Sequence, residues 1–351
     1  MTEPSPGQLR QTLLGVPDAA VARTATIERA IDDSVRYLDS EAALRSLAAD
    51  SYWPKWDSPW WHMLHLFELG EARRIPGRVV RTMIERVDAT VLKIFPLTKE
   101  ELGGADPHRG ITCHCALGSL AQVLAACGVE VARELPWVEP WFVRYQMADG
   151  GLNCDETAYL VTDECPSSMV ATIAPLEAML FGDPAAWSPE HAAFVDRGAR
   201  FLIDRRLMLG SPTRHNADER DAAPGWLQPC TPRFYFYDVL RGLTALVRWA
   251  EHTGGSIPVA TVAPVIDHLA TTFPDGIVRV GRDAVAGRAT RRLAADGSWE
   301  RGPASRSALL DATSVVGAPR ASATAEWAAT RAGLVRLIEA GRLTVIASPP
   351  C

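Results

Sequence analysis

CHCALGSLAQVLAACG, residues 113–128, is the stretch on which the fold turns. From Leu117 to Cys127 it is apolar almost all round, and Gly128 supplies a stop. A helix without a polar side has no face to offer water and must be enclosed by other elements. Helical spacing also dominates on both sides of it. Val21, Ile27, Ile31, Val35 and Leu38 make one apolar face over Ala19 to Leu38. Trp60 to Leu69 is short and strongly apolar, with Gly70 as its stop, and Gly77 to Ile94 presents Val79, Val80, Met83, Ile84, Val87 and Val91. Further helices are predicted at Glu134 to Met147, Ser168 to Phe181, Pro189 to Leu207, Phe236 to Thr253, Val259 to Thr271 and Ala323 to Ala340. Loops rich in Pro, Gly, Asp and Asn separate them at Leu102 to Gly110, Gly210 to Gly225 and Asp296 to Ser305. Strand alternation is scarce, with short candidates at Gly276 to Val280 and Leu343 to Ala347.

Helices paired by short turns, with no long linker, predict one all-α domain over 18–351, preceded by a polar tail at 1–17. Gly276 to Ala304 mixes Arg and Gly without periodicity and is expected as an irregular insertion, hairpin-like or flap-like. A chain of 351 residues buries a large core without staples. Its 47% hydrophobic and 22% charged composition is ordinary for a globular domain. The formal net charge is -6 and the Arg residues are scattered, so no nucleic-acid partner is expected. No run of about 18 apolar residues predicts a membrane span, and the N-terminal residues lack a signal-type apolar run. Seven cysteines without a scaffold spacing fit a reduced, cytoplasmic protein whose thiols are free, ligands or nucleophiles. The oligomeric state is not legible.

WFVRYQMADGGLNC, Trp141 to Cys154, contains Gln146 followed by Asp149-Gly150-Gly151. This resembles the QxxDGGxW repeat of the terpenoid-cyclase and protein-prenyltransferase toroids, with Leu152 in place of the Trp. A partial second copy is Asp296-Gly297-Ser298-Trp299. The physical role expected of the motif is a staple between hairpins: Gly accepts positive φ, while Gln and Asp tie off backbone groups. WPKWDSPWWHMLHLFELG (53–70), CPSSMVATIAPLEAML (165–180) and PRFYFYDVLRGLTALVRW (232–249) look like bacterial squalene-cyclase-like proteins of uncharacterised function. The resemblance implies an (α/α)6 toroid, a closed barrel of helical hairpins around a central cavity. The DxDD acid of one cyclase class is absent, and Asp32-Asp33 is followed by Ser34-Val35-Arg36 rather than the DDxxD of the other.

The resemblance then implies an enzyme, lyase- or isomerase-like, taking a hydrophobic terpenoid-like molecule or specialised metabolite through elimination, hydration, isomerisation or cyclisation. Its candidate acid/base residues are His114, Cys154, Asp163, Cys165, Tyr237 and Asp238. An apolar cavity would raise a carboxyl such as Asp163 or Asp238 and keep it an acid. Asp57, Trp60, Trp61, Tyr145 and Tyr235 are the candidate substrate-binding residues, since aromatic walls attract developing cations. No cofactor is favoured. Zn²⁺ is the alternative, because Asp163-Glu164-Cys165 matches the Asp-x-Cys ligand spacing of protein prenyltransferases. Cys113, Cys115, Cys154, Cys165 and Cys230 stand at starts of helices or turns, where the helix dipole favours thiolate and convergence would make a soft-metal site. Cys127 reads as core and Cys351 as tail. A non-catalytic toroid that binds a partner is the remaining alternative.

Overall fold

A computed structural model describes residues 3–89, 100, 113–294 and 296–345. The expected loop at 102–110, the end of the Gly77 to Ile94 helix, the last residues of the 343–347 strand and Cys351 lie outside the described residues. The chain is mostly helical, as its periodicity predicts.

Residues 3–17 do not form the expected tail. Helix α1, Pro6–Gly15, begins with Pro at its first position and a capping box in which Ser5 and Gln8 exchange hydrogen bonds. Leu9 and Leu13, one turn apart, bury their side chains, and the Arg331 guanidinium donates to the Leu13 and Val16 carbonyls just beyond them. Two leucines at i, i+4 suffice to dock a helix otherwise polar enough to read as a tail.

Helices α2 (Ala25–Leu38), α3 (Glu41–Ala49), α4 (Pro59–Glu68) and α5 (Gly77–Asp88) follow. Thr24 caps α2 by accepting from the Ile27 N–H, which starts the helix six residues later than its apolar pattern does. Next come α6 (His114–Ala126), α7 (Val131–Glu134), α8 (Val138–Tyr145) and α9 (Met169–Met179). As its composition requires, α6 is enclosed, with every residue from His114 to Leu124 buried. Then α10 (Pro189–Asp204), α11 (Ala217–Ala222), α12 (Val239–Thr253), α13 (Val259–Thr272), α14 (Ala308–Thr313) and α15 (Ala321–Glu339) complete the helices described.

The packing order positions the site. Helix α4 packs on α6, α6 on α9, α9 on α12 and α12 on α15, and all five contribute to the wall of one cavity of about 360 Å³. Helices α2, α10 and α13 back this series from outside, and α14 joins α2, with the Thr313 hydroxyl 2.9 Å from His65 Nε2 of α4. Helices α6 and α9 approach backbone to backbone: a Cβ on Gly118 would lie 2.3 Å from the Pro175 nitrogen.

The Gln-Asp-Gly-Gly turn is the staple its composition suggests. Gln146 Nε2 donates to the Gly150 and Phe194 carbonyls at 2.8 and 2.9 Å, tying the end of α8 to α10. Asp149 Oδ1 accepts from the Gly151 N–H at 3.1 Å, and Gly150 sits at φ +90° against the Arg197 carbonyl.

Four short strands are described. The parallel pair β1 (Ile257–Pro258) and β4 (Leu343–Thr344) takes up part of the expected 343–347 strand. The 276–304 segment is hairpin-like: β2 (Ala289–Leu293) pairs antiparallel with β3 (Trp299–Pro303), and its turn uses Gly297 at φ +84° with Asp296 accepting from Ser298. Gly276 to Val280 is not a strand but an extended run making one bridge, Arg279 to Pro319. Thr290 of β2 is buried and accepts from the Lys55 N–H at 2.7 Å, so the hairpin lies against the Trp53–Trp56 turn.

Candidate functional site

Three thiols converge where α6 begins. Cys113 is the N-cap of α6, Cys115 stands in its first turn, and Cys154 follows the Gly150-Gly151 turn. The turn is held in place by a Ser168 N–H that donates to the Leu152 carbonyl at 2.7 Å at the foot of α9. The Cys113 and Cys115 sulfurs are 3.5 Å apart, and the Cys115 N–H donates to Cys154 Sγ at 3.3 Å. All three sulfurs lie within 4.8 Å of one another. Among the described residues this is the one His, Cys, Asp or Glu group with the compactness of a metal-ligand set.

The three sulfurs are not equivalent. Hydrogen bonds from Cys115 and Cys154, then the Ala116 N–H at the helix start and the Lys55 ammonium, hold Cys113 well below the usual thiol range. The same contacts push Cys115 and Cys154 up, because each donates to Cys113. Of the three sulfurs, Cys113 is therefore the one most favoured to carry negative charge.

Lys55 faces this thiolate from an aromatic cage. Its Nζ lies 5.0 Å from the ring centre of Tyr235, 5.2 Å from Trp53, 5.3 Å from Tyr52 and 5.9 Å from Trp56, and 3.5 Å from the Tyr235 hydroxyl. Burial lowers Lys55, against the three sulfurs that raise it. Asp50 shapes the turn by accepting from the Tyr52 and Trp53 N–H groups at 2.8 and 2.9 Å, and Trp56 takes φ +70°.

Of the residues expected to act, Cys154 and Tyr235 reach this cluster. His114 faces away from the sulfurs, fully buried: its Nδ1 is 3.1 Å from the Asn153 carbonyl, and its ring packs on Tyr145, Tyr159 and Trp141. Burial pulls it down to about 4, so it is a neutral packing group. Tyr145 belongs to that aromatic layer. Trp60 and Trp61 are 1% exposed; they are core, with Trp61 donating to the Tyr52 carbonyl at 2.9 Å and standing edge-on to Phe234. Asp57 is half-buried and faces His62 Nε2 at 3.7 Å rather than the thiols.

Asp163 and Cys165 form no metal pair. Asp163 is exposed and ion-paired with Arg214, burial raises Cys165, and among the described residues no third ligand joins either. Glu164 instead ties this segment to a distant turn by accepting the backbone N–H groups of Arg214 and His215. Tyr237 donates to the Leu207 carbonyl at 2.7 Å inside the core. Asp238 caps α12 and is gripped by both arms of Arg233 at 2.8 and 3.0 Å. Burial alone would raise it, but Arg233 wins and Asp238 is lowered, so it is a carboxylate and not the protonated acid expected.

The cavity itself is charged rather than greasy. Glu68, Glu177, Glu326, Arg233, Arg241 and Arg320 stand in its wall beside Gln122 and Thr244. Sequence reasoning passed over these, and over Lys55, because single charges scattered along amphipathic helices look like solvated faces. The one available signal was a lone Lys inside the Trp-rich run Trp53 to Trp61. In comparisons with known protein families, curated proteins and solved structures, the chain finds no match.

Proposed function

We propose that this chain is an α/α-toroid enzyme whose reaction centre is a soft-metal thiolate site made by Cys113, Cys115 and Cys154, acting on a hydrophobic small molecule taken up beside the Tyr52, Trp53, Trp56 and Tyr235 rings. The observation that carries the reading is the convergence of three sulfurs within 4.8 Å. Zinc–sulfur bonds of about 2.3 Å in a tetrahedron separate sulfurs by about 3.8 Å, close to what this cluster already has. Three thiolates and a divalent ion sum to a single negative charge, and the Lys55 ammonium, the one facing them among the described residues, neutralises it. Support for the toroid comes from five helices that pack in chain order around one cavity.

Three protein ligands leave a fourth position. Zinc bound there supplies Lewis-acid polarisation of a hydroxyl or carbonyl oxygen. Lys55 and the Tyr235 hydroxyl are placed to give and take the proton that elimination, hydration or isomerisation moves. A metal-free reading has its own support in the separation of the thiols: Cys113 as thiolate base and Cys154 as thiol acid form a pair whose proton affinities are driven apart.

Elemental analysis of protein purified without chelator separates the two. The metal reading expects one equivalent of zinc, loss of it in Cys154→Ser, and sulfur-to-metal charge-transfer absorption on cobalt substitution. Protein that stays metal-free after zinc is added in excess overturns it in favour of the acid/base pair. Wild-type metal content in Cys154→Ser overturns this ligand set.

A further inference from the structure

Two guanidinium groups of the cavity wall, those of Arg248 and Arg320, are in no ion pair among the described residues, whereas Arg233 and Arg241 are paired. Arg241 and Glu177 form a fork, with contacts of 2.9 and 2.6 Å. Arg233 is bound by Asp238 and, at 2.6 Å, by Glu326, whose other oxygen accepts from Thr244. Those pairs are self-sufficient. Arg320, Arg248 and Glu68 are left.

Arg320 is 6% exposed. Among the described residues its guanidinium makes only long hydrogen bonds, 3.3 Å to the Thr313 carbonyl and 3.4 Å to the Ser322 hydroxyl, and no carboxylate lies within ion-pair distance. Burial pulls it down to about 10. Arg248 lies two turns along α12 from Arg241, so both project from one face of the helix into the cavity. It is half-buried and makes no hydrogen bond or ion pair among the described residues. Glu68 gives both oxygens to the backbone N–H groups of Arg233 and Phe234, and burial raises it toward its neutral form. Glu68 acts on Arg320 through space but makes no ion pair with it; a buried cation compensated so weakly is destabilising, and a bound anion that supplies the missing contact relieves this. Guanidinium groups match the two oxygens of a carboxylate or phosphate and tolerate partial dehydration, which suits them to that task.

We propose that the cavity of about 360 Å³ is a binding site for a small organic anion, whose carboxylate or phosphate group is held by Arg320, with Arg248 drawing it in from the more exposed side. The volume lies in the range of small-molecule sites. Glu68, beside Arg320, accepts from a hydroxyl or amino group of the same molecule. The site shares no residue with the thiol cluster and does not depend on metal there.

The test is calorimetric titration and thermal melting of the full chain with succinate, inorganic phosphate and, as the uncharged control, succinamide, at fixed ionic strength set with chloride. One of the two anions binds and raises the Tm, while succinamide does not. Arg320→Met weakens that binding tenfold or more and Arg248→Ala severalfold, whereas Cys154→Ser leaves it unchanged. If Arg320→Met does not fold, Arg320→Lys and Arg248→Ala carry the comparison, since Arg248 has no structural partner to lose. Binding of neither anion at tens of millimolar overturns the proposal, as does a Tm rise that chloride reproduces or that Arg248→Ala and Arg320→Lys both leave intact.

Discussion

Replacing Gly118 by Ala tests the packing on which the cavity rests. The added Cβ would lie 2.3 Å from the Pro175 nitrogen, 2.5 Å from the Ala174 carbonyl carbon and 2.8 Å from its oxygen. All three are backbone atoms of α9 and cannot rotate aside, so α6 and α9 must separate by about 1 Å to restore ordinary contact. Overpacking of this kind costs about 1–3 kcal/mol, and rigid obstacles place it at the upper end. The better helix propensity of Ala returns about 1 kcal/mol. The net loss is about 2 kcal/mol. At roughly 2.1 cal/mol/K of unfolding entropy per residue, that is about 3 °C of Tm for a chain of 351 residues. The same movement stretches the bonds from Gln122 to the Ala174 carbonyl at 3.1 Å and to Glu177 at 3.3 Å, and so loosens the Glu177–Arg241 pair in the cavity wall. Scanning calorimetry of Gly118→Ala should show the drop. Gly7→Ala is the control: its Cβ would meet only the Ser5 hydroxyl at 3.9 Å on an exposed turn of α1, and its Tm should hold or rise. A Gly118→Ala protein that melts with or above the wild type would refute the argument that a side-chain-free contact sets the α6–α9 distance.

Two further outcomes follow from buried groups. His114 is neutral in the fold and held at about 4, against 6.5 when exposed, so the unfolded chain binds the extra proton. Its contribution is therefore complete above pH 6.5 and is lost as pH falls from 6.5 toward 4, about 3 kcal/mol in all. Melting curves of wild type and His114→Gln across that window should converge by about 4 °C on acidification, and parallel curves would show that His114 does not titrate this way. Leu13→Ala removes a buried anchor of α1 and should cost about 2–5 kcal/mol. Denaturant unfolding measures it, and an unchanged midpoint would show that α1 is not docked as described.

Periodicity was enough for the helices that carry a full apolar face. The apolar run in α6 could only be enclosed, and α4, α9 and α12 follow from the same spacing within a few residues at each end. The Gln146 to Gly151 staple was equally legible, because its chemistry is local: a glycine at positive φ and side chains reaching backbone a few residues away. Helix α1 was missed because its apolar stripe is two leucines, too little signal without the surface it docks on. At the site, the sequence could point to cysteines at helix starts but not choose among them. Cys154 and Cys165 look alike in one dimension. The turn at Gly150-Gly151 carries Cys154 to Cys115, while the Glu164 bond to Arg214 and His215 holds Cys165 elsewhere.

Asp238 makes the division plain. Sequence alone placed it at the start of a helix and allowed an acid in an apolar hole. Only the fold brings Arg233 back across five residues to grip it, and that ion pair, joined by the Arg241 N–H and charge, holds it below the usual carboxylate range against the effect of burial. Secondary structure and turns depend on neighbours along the chain, so the sequence by itself determined them. Which thiols meet, which arginines lack a carboxylate and how polar the cavity is depend on groups far apart along the chain, up to the 252 positions that separate Glu68 from Arg320. Their energies arise only once burial and distance are set, and the tertiary structure alone decided those.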